Sequence, residues 1–533
     1  MNGPVKPPPT ANQQIARAAG TVMIAFIISN LVGLARGIVI TRAFGTSLEF
    51  DSFNAANRIV EMLFNLVAGG ALGSAFIPMF TSFLAKEDRE GAWRLASGVV
   101  NLVFLALVLI SVLAWVFAPQ IVQDGLFLLV PGSDPVQEGL TVQLFRIMLP
   151  SVILFGLSGL VMGILHAHQN FLIPSIAPAM YSLGMIAGTL FLPEAWGIQR
   201  LAAGVVLGAV LHLVIKIPAL WRLPARVYHR YLGLRDRAVV EVFRLMGPRL
   251  LGVAVVQMNF IVNTIIALGQ PEGSVSAITL AFSLMLMPQM AVAQSAAIAS
   301  LPTFSAQVAL GRIDEMRRSL ASTLRAIILL SLPAGVGLIL LRFPLVQLLY
   351  QRGEFTARST ELVAWALLWY AAGLVGHALV EILSRAFYAL HDTRTPVTVG
   401  VITMGLNIVL SLAFSAWFAQ IGWMPHGGLA LANSVATGLE SIALVFLIQR
   451  KLHGLEGGYV WQGVGISAAG TALMAAAVVG ARVLLGGRSL AVELFGALGA
   501  GFAVYLGLMW LVKMPELRGM GRALMQRLKR GSE

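Results

Sequence analysis

Apolar stretches long enough to cross a membrane recur fourteen times along this 533-residue chain. A helix of about 20 apolar residues spans the hydrocarbon core of a bilayer. Because 58% of the residues are hydrophobic and only 11% are charged, the chain has too few polar residues to cover a soluble domain. The sequence therefore predicts an all-α polytopic membrane protein. The predicted spans are 15–41, 50–84, 93–118, 139–165, 174–192, 198–220, 241–268, 275–300, 318–341, 361–389, 396–418, 427–449, 461–481 and 489–512.

The distribution of lysine and arginine predicts the orientation of these spans. The two tails and the even-numbered loops hold 24 of the 37 basic residues, whereas the odd-numbered loops hold 7. Cytoplasmic loops carry the excess of basic residues, so we expect both termini on the cytoplasmic side. Residues 1–14 are expected to form a disordered tail and 513–533 a basic tail. The net charge of +13 then reflects topology, and no nucleic-acid partner is expected.

An internal repeat organises the first twelve predicted spans. A shift of 224 residues aligns Ile77–Phe80 with Leu301–Phe304 and Arg94 with Arg318. The shift covers six spans, an even number, so the two copies have the same orientation in the membrane, as in transporters built from parallel repeats. The predicted parts are two six-helix lobes, 15–222 and 223–450, and two additional helices within 451–512.

Motifs typical of enzymes are missing from the sequence. There is no cysteine and no glycine-rich phosphate loop followed by Lys-Ser or Lys-Thr. His166 and His168 are two residues apart and would project from different sides of a helix, which suits a zinc site poorly. We therefore expect no enzymatic activity, no metal and no organic cofactor.

Some basic residues that fall inside the span limits above are counted with the adjoining loops, among them Arg325 in the ninth span. Six others are assigned to the membrane interior, where a charge is costly unless it faces a protein interior or a wet cavity. Such cations indicate a pathway for an anionic substrate. They are Arg36, Arg58, Arg146, Lys216, Arg249 and Arg385.

Spacing distinguishes these cations from one another. Arg58 lies three residues before Glu61, and Arg385 lies four residues after Glu381, so each has a carboxylate on its own helical face. These pairs fit either structural neutralisation or a substrate role. Lys216 lies near a span end, where it is expected to snorkel to the interface.

Arg36 has no carboxylate three or four residues away on its helix. Its unused donors suit a phosphate or pyrophosphate group, and a snorkelling arginine near the helix end is the alternative.

Several stretches, in order and at similar spacing, resemble the MurJ/MviN lipid II flippases of the multidrug/oligosaccharidyl-lipid/polysaccharide exporter superfamily. The resemblance covers residues 13–512, and its most specific stretch is LSRAFYALHDTRTP. The stretches are Leu31–Arg36, Ala43–Gly45, Asp51–Phe53, Gly70–Leu72, Ala75–Pro78, Pro248–Gly252, Arg352–Thr356 and Leu383–Pro396.

The resemblance implies a function and a cellular location. It implies that the chain moves lipid II, the undecaprenyl-pyrophosphate-linked peptidoglycan precursor, from the inner to the outer leaflet of the bacterial cytoplasmic (inner) membrane. The two lobes would alternate in access around a central basic cavity, and the last two helices would offer a groove for the polyprenyl tail. Membrane lipids and cell-wall synthesis proteins are the other expected partners.

The resemblance also indicates site residues. The expected substrate-binding residues are Arg36, Asn30, Asp51, Arg58, Glu61, Asn65, Arg249 and Ser283. A sodium site would map to Asn263, Asn407, Ser411 and Asn433, which lack a carboxylate. Without a carboxylate such a site would bind sodium weakly. No bound cofactor is expected, and coupling to sodium and coupling to the membrane potential are the two alternatives for the energy source.

The chain departs from the family pattern at the expected site. Family members usually carry charged residues at or near positions that are here Asn30, Gly37, Asn65, Gly69, Phe282 and Ser283. Two alternatives follow: a flippase or exporter for another polyprenyl-linked glycan or a drug, and a non-transporting scaffold for cell-envelope synthesis.

Overall fold

A computed structural model describes residues 11–67, 71–128, 130, 132–224 and 226–512. Within these ranges, the side chains of 11–24, 26, 27, 67, 71–74, 248, 249, 251 and 252 are not described. All regular structure in the described ranges is helical, which confirms the predicted all-α class.

The α-helices coincide with the predicted spans. Five of those spans are not single helices: each either contains a second helix or has a short π-helical turn within it or directly after it. The π-helical turns are Ile121–Leu126 and Met290–Gln294. The α-helices are α1 (Ala11–Phe44), α2 (Leu48–Val67), α3 (Ala71–Ala85), α4 (Arg89–Val116), α5 (Ala118–Gln120), α6 (Pro135–Ala167), α7 (Leu172–Phe191), α8 (Gln199–Val214), α9 (Ile217–Trp221), α10 (Arg237–Leu268), α11 (Ser274–Gln289), α12 (Ser295–Ala309), α13 (Ile313–Tyr350), α14 (Ala357–Ala372), α15 (Leu374–Ala389), α16 (Arg394–Gln420), α17 (His426–Lys451), α18 (Gly457–Leu485) and α19 (Leu490–Leu511).

Backbone chemistry explains where spans are interrupted. Pro218 lies in the first turn of α9, where its missing N–H costs no helical hydrogen bond. Gly373 separates α14 from α15, which are bent by 46°. The π-helical turn between α11 and α12 follows Pro288, whose ring removes a backbone donor.

Length and hydropathy in the described residues support ten membrane-crossing segments, or eleven when α14 and α15 count as one bent span. This agrees with most of the fourteen predicted spans. The second predicted span fails the test because α2 carries Glu49, Asp51, Arg58 and Glu61. In α10 the apolar segment of the described residues is limited to Val253–Leu268.

The chain forms two compact units. The first unit runs through Glu272 and includes Arg352–Glu354, and the second contains Gly273–Gln351 and the residues from Phe355 onward. Helix α10, the seventh predicted span, therefore packs with the first unit. The lobe limits read from the repeat remain a prediction, because grouping by contact need not follow the limits of a sequence repeat.

A close helix crossing joins α7 to α8 in the first unit. Gly184 and Gly188 on α7 face Gly204 and Gly208 on α8, so both helices present small residues four apart. A Cβ on Gly188 would lie 2.5 Å from the Gly204 Cα and 2.7 Å from the Arg200 carbonyl oxygen. Within a bilayer, such small residues let two backbones approach and pack tightly.

The stretch LSRAFYALHDTRTP, which carries the most specific family resemblance, ends in the first turn of α16 in the second unit. Asp392 accepts hydrogen bonds from the Thr395 backbone N–H (3.0 Å) and hydroxyl (2.7 Å) at the first turn of α16. Lys451, at the end of α17, donates to the same carboxylate at 2.6 Å and holds the pKa of Asp392 at about 2. The motif therefore ties the start of α16 to the end of α17.

We predict that Gly188→Val destabilises the protein. The new side chain would meet backbone atoms of α8, which cannot rotate away, so α7 and α8 must separate. Overpacking of this kind typically costs about 1–3 kcal/mol. Thermal unfolding of the full chain in detergent measures the change in Tm.

The matched control for this prediction is Gly405→Val on α16, because a Cβ at Gly405 meets no atom within 4 Å. Equal Tm values for the two variants would contradict the account of the α7–α8 crossing.

Candidate substrate-binding site

Arg36 lies on α1 in the first unit, where its side chain is half-buried. Its Nη1 is 3.8 Å from the Met185 sulfur, and its guanidinium lies 5.9 Å from the centre of the Tyr181 ring. No carboxylate of the described residues forms an ion pair with it. A thioether and an aromatic face are weak partners, so most of the hydrogen-bonding capacity of this guanidinium is available to an oxyanion.

Arg58 and Glu61 form the local ion pair that their spacing predicts. Arg58 Nη1 donates to Glu61 Oε2 at 2.9 Å, and Asn57 Nδ2 donates to Glu61 Oε1 at 2.9 Å. The Arg58 guanidinium also lies 5.1 Å from the centre of the Phe260 ring of α10. The Glu61 side chain remains 43% exposed, so the pair is accessible rather than sealed in the core.

Tyr181 connects Arg36 with the Arg58–Glu61 pair. Its hydroxyl lies within electrostatic range of both Arg36 and Glu61. The rings of Phe64 and Phe155, and those of Phe155 and Tyr181, are each 5.0 Å apart. Three charged side chains of α1 and α2 thus gather around one aromatic wall, and we call Arg36, Arg58, Glu61 and Tyr181 the N-terminal cluster.

The other expected substrate residues are more dispersed. Asn30 is exposed, Asn65 is half-buried and Asp51 is only 4% exposed. The Arg249 side chain lies outside the described residues. Ser283, in the second unit, donates its hydroxyl to the Thr279 carbonyl of its own helix at 2.8 Å. The roles of these residues remain predictions.

The expected sodium-site residues offer only neutral oxygens. Asn263, in the first unit, donates to the Asn259 side-chain oxygen at 2.9 Å. In the second unit, Asn407 and Ser411 are buried four residues apart on α16. Asn433 Oδ1 lies 2.9 Å from His377 Nε2 on α15. A cation there would depend on amide, hydroxyl and backbone oxygens, without a charged ligand.

Lys216 does not snorkel, contrary to the expectation from its position near a span end. Its side chain is 0% exposed. Its Nζ donates to Ser158 Oγ at 2.8 Å and to the Ser158 carbonyl oxygen at 3.2 Å, and it lies 3.5 Å from His212 Nδ1. The break between α8 and α9 places Lys216 against α6, so the lysine joins three helical segments internally.

The Glu381–Arg385 pair and Arg325 lie in the second unit. Arg385 donates to Glu381 at 2.7 Å, as the spacing predicts. Arg325, counted above with the cytoplasmic loops, is instead 3% exposed on α13. Its guanidinium lies 4.1 Å from the centre of the Tyr459 ring. Gly463 on α18 leaves room for it, because a Cβ there would lie 2.5 Å from the Arg325 Cγ.

An apolar cavity of about 430 Å³ lies within the second unit, bounded chiefly by α13, α18 and α19. Gly337 and Leu341 of α13, Val478 of α18 and Leu494 of α19 are among its lining residues. Its walls are almost wholly hydrocarbon, which suits an alkyl or isoprenoid chain.

Comparison with solved structures defines the class of fold. An inward-facing multidrug resistance MATE family transporter of the MOP superfamily matches with a TM-score of 0.66 and 16% identity, over 82% of this chain and 98% of that one. The structure titled lipid II flippase MurJ, inward closed conformation, matches with a TM-score of 0.78 and 23% identity, over 92% of this chain and 98% of that one. The fold is therefore that of the MOP superfamily transporters.

Comparison with sequences identifies the family. The family model described as "Lipid II flippase MurJ" matches residues 40–498. The Lipid II flippase MurJ of Burkholderia cenocepacia is 32% identical over 442 residues, which cover 82% of this chain and 84% of that protein. A probable lipid II flippase MurJ of Vibrio cholerae is 29% identical over 96% of this chain and 98% of that protein.

The chain belongs to the lipid II flippase MurJ family. This confirms the resemblance found in the sequence. The chain is a multi-pass inner membrane protein of a transporter family and not an enzyme.

We predict that Lys216→Ala destabilises the protein more than Lys216→Met does. Alanine leaves a void, and large-to-small core substitutions commonly cost about 2–5 kcal/mol. Methionine keeps most of the volume and removes an amine that has no carboxylate partner among the described residues. Thermal unfolding in detergent compares the two variants, with the exposed Lys86→Met as control. Equal losses of Tm in the two variants would contradict this prediction. The hydrogen bonds of the amine, and not the volume of the side chain, would then determine how much Lys216 stabilises the protein.

Proposed function

We propose that this chain moves lipid II from the inner to the outer leaflet of the membrane. Membership in the lipid II flippase MurJ family supports this cargo. The observation that carries the proposal for this chain is Arg36, a half-buried guanidinium with no ion-pair partner among the described residues. A polytopic protein retains such a cation at a cost, and an anionic cargo accounts for it.

The chemistry of the pyrophosphate fits the N-terminal cluster. A guanidinium can grip two phosphate oxygens at once, through parallel N–H···O bonds. Arg36 would provide the first contact. Arg58 already donates a hydrogen bond to Glu61 at 2.9 Å, so the cargo would compete with that carboxylate for the N–H groups of Arg58. This competition would keep binding reversible, as transport requires.

Translocation would follow from alternating access of the two lobes around a central basic cavity, with both termini in the cytoplasm. A pyrophosphate carries negative charge, and each elementary charge that crosses the membrane potential gains or loses about 2.3 kcal/mol per 100 mV. We favour the membrane potential as the energy source, because Asn263, Asn407, Ser411 and Asn433 supply no charged ligand for sodium. Cell-wall synthesis proteins are the proposed partners beyond the cargo and the membrane lipids.

The apolar cavity of the second unit would hold the polyprenyl tail. A tail of branched C5 units is wholly hydrocarbon, so it can pass from the lipid into a cavity with hydrocarbon walls without leaving a polar group unpaired. Tail binding in one place while the head moves would keep the hydrophobic part of the cargo out of the hydrophilic pathway.

A second cargo is favoured by one observation. Neutral residues stand at Asn30, Phe282 and Ser283, where the family pattern expects charges. A polyprenyl-linked glycan with a different head would need fewer of these contacts and would still require Arg36 for its phosphate.

We predict that Arg36→Ala abolishes flippase activity, because no other described cation near Tyr181 lacks a carboxylate partner. Cells depleted of their own lipid II flippase should survive with the unaltered chain and fail with Arg36→Ala at equal protein levels. Arg36→Lys should rescue partly, since lysine keeps the charge and loses the bidentate geometry. Arg42→Ala is the control, because that side chain is exposed. Full growth with Arg36→Ala would overturn the role of Arg36.

We also predict that Gly337→Phe impairs transport of cargo with a full-length tail. A Cβ at Gly337 meets no atom within 4 Å, so the ring would project into the apolar cavity without forcing the helices apart. Translocation of an analogue with a short tail should be affected less, which a leaflet-specific assay with both substrates measures. Gly405→Phe is the control at an open position outside the cavity. Equal effects on both tail lengths would contradict this use of the cavity.

A further inference from the structure

A second cavity is an open cleft in the first unit, between the end of α4 and α6. It encloses about 410 Å³ and is lined by Trp115, Gly139, Val142, Gln143, Arg146 and Ile147. Arg146 is one of the six cations within the predicted spans, and the proposed flippase mechanism gives it no task.

Arg146 is held in place and retains free donors. Its Nε donates to the Trp115 carbonyl oxygen at 3.1 Å, and its guanidinium lies 4.8 Å from the centre of the Trp115 ring. It forms no ion pair with a described residue. The two acids before it at the start of α6 have other partners: the N-cap residue Asp134 accepts from the Val136 N–H, and Glu138 accepts from the Ser133 hydroxyl. The cleft therefore presents an uncompensated positive charge in a fixed orientation.

The position of Trp115 sets the level of the cleft in the membrane. Trp115 is in the last turn of α4, and tryptophan is enriched where transmembrane helices meet the lipid headgroups. An apolar stripe runs from this point along α4. Its members recur at intervals of three and four residues and are each more than half exposed: Leu105, Leu109, Val112 and Val116. Such a stripe provides a surface for an acyl chain next to a headgroup at Arg146.

Gly139 leaves the cleft open. A Cβ at this position would meet no atom within 4 Å, so no close helix contact requires glycine there. Glycine inside a helix is about 1 kcal/mol less favourable than alanine. The space above Gly139 is therefore available to a ligand, and the exposed amide of Gln143, four residues along the same face, can donate to that ligand.

We propose that this cleft binds an anionic glycerophospholipid. Its phosphate lies against Arg146 and Gln143, and one acyl chain follows the exposed stripe of α4. An anionic lipid fits better than a zwitterionic one, because the amine of a zwitterionic headgroup would lie near Arg146 and cancel the attraction. With both termini in the cytoplasm, the cleft faces the outer leaflet. The lipid is a bound component of the protein and not its cargo.

The test measures lipid binding to the purified full-length protein in detergent. Fluorescent phosphatidylglycerol and phosphatidylcholine are titrated against the unaltered chain, Arg146→Gln and Gly139→Leu. Phosphatidylglycerol should bind more tightly than phosphatidylcholine. Each variant should weaken phosphatidylglycerol binding about tenfold, through loss of a charge-assisted hydrogen bond in one case and through filling of the cleft in the other. Gly139→Leu keeps the proposal falsifiable if Arg146→Gln folds poorly.

The control is Arg450→Gln at the end of α17, where another exposed arginine lies 4.2 Å from the centre of the Phe446 ring. This variant should bind phosphatidylglycerol like the unaltered chain. Equal affinity for the two lipids, or an equal loss with Arg450→Gln, would overturn the proposal, since binding would then be generic. Displacement of the lipid by millimolar inorganic phosphate would also overturn it, because the cleft would then recognise a free anion.

Discussion

The cost of placing a charge among apolar helices governs this structure. The protein meets that cost in several ways. Arg58 and Arg385 have carboxylates one helical turn away, Lys216 is surrounded by the oxygens and ring nitrogen of Ser158 and His212, and Arg146 lies beside a tryptophan at a helix end. Among the side chains that the structure describes, Arg36 has only a thioether and an aromatic ring as neighbours of its guanidinium. The proposed flippase site rests on that difference.

The packing of α7 explains how Arg36 obtains these surroundings. Met185 and Tyr181 lie on α7, and the glycines at 184 and 188 on the same helix bring it against α8. A Cβ on Gly208 of α8 would lie 2.5 Å from the Tyr181 carbonyl oxygen, so the crossing fixes the backbone that carries the ring. Loss of the crossing would therefore disturb the N-terminal cluster without touching a charged residue.

Local relationships were predictable from the sequence, whereas contacts between distant segments were not. Spacing predicted the Arg58–Glu61 and Arg385–Glu381 pairs, and apolar length predicted the spans, because each depends on residues within a few helical turns. The burial of Lys216 depends on Ser158, 58 residues earlier, and the burial of Arg325 depends on Tyr459, 134 residues later. Single-helix periodicity carries no information about such pairs. The glycines four apart on α7 and α8 were the one available signal for their crossing.

The most direct test of the proposed function is a leaflet-specific measurement of labelled lipid II in cells whose only flippase is this chain. We predict that the labelled head becomes accessible at the outer leaflet while the chain is present and ceases to appear when the chain is depleted. Retention of labelled lipid II in the inner leaflet, with the chain present in the membrane at normal levels, would contradict it.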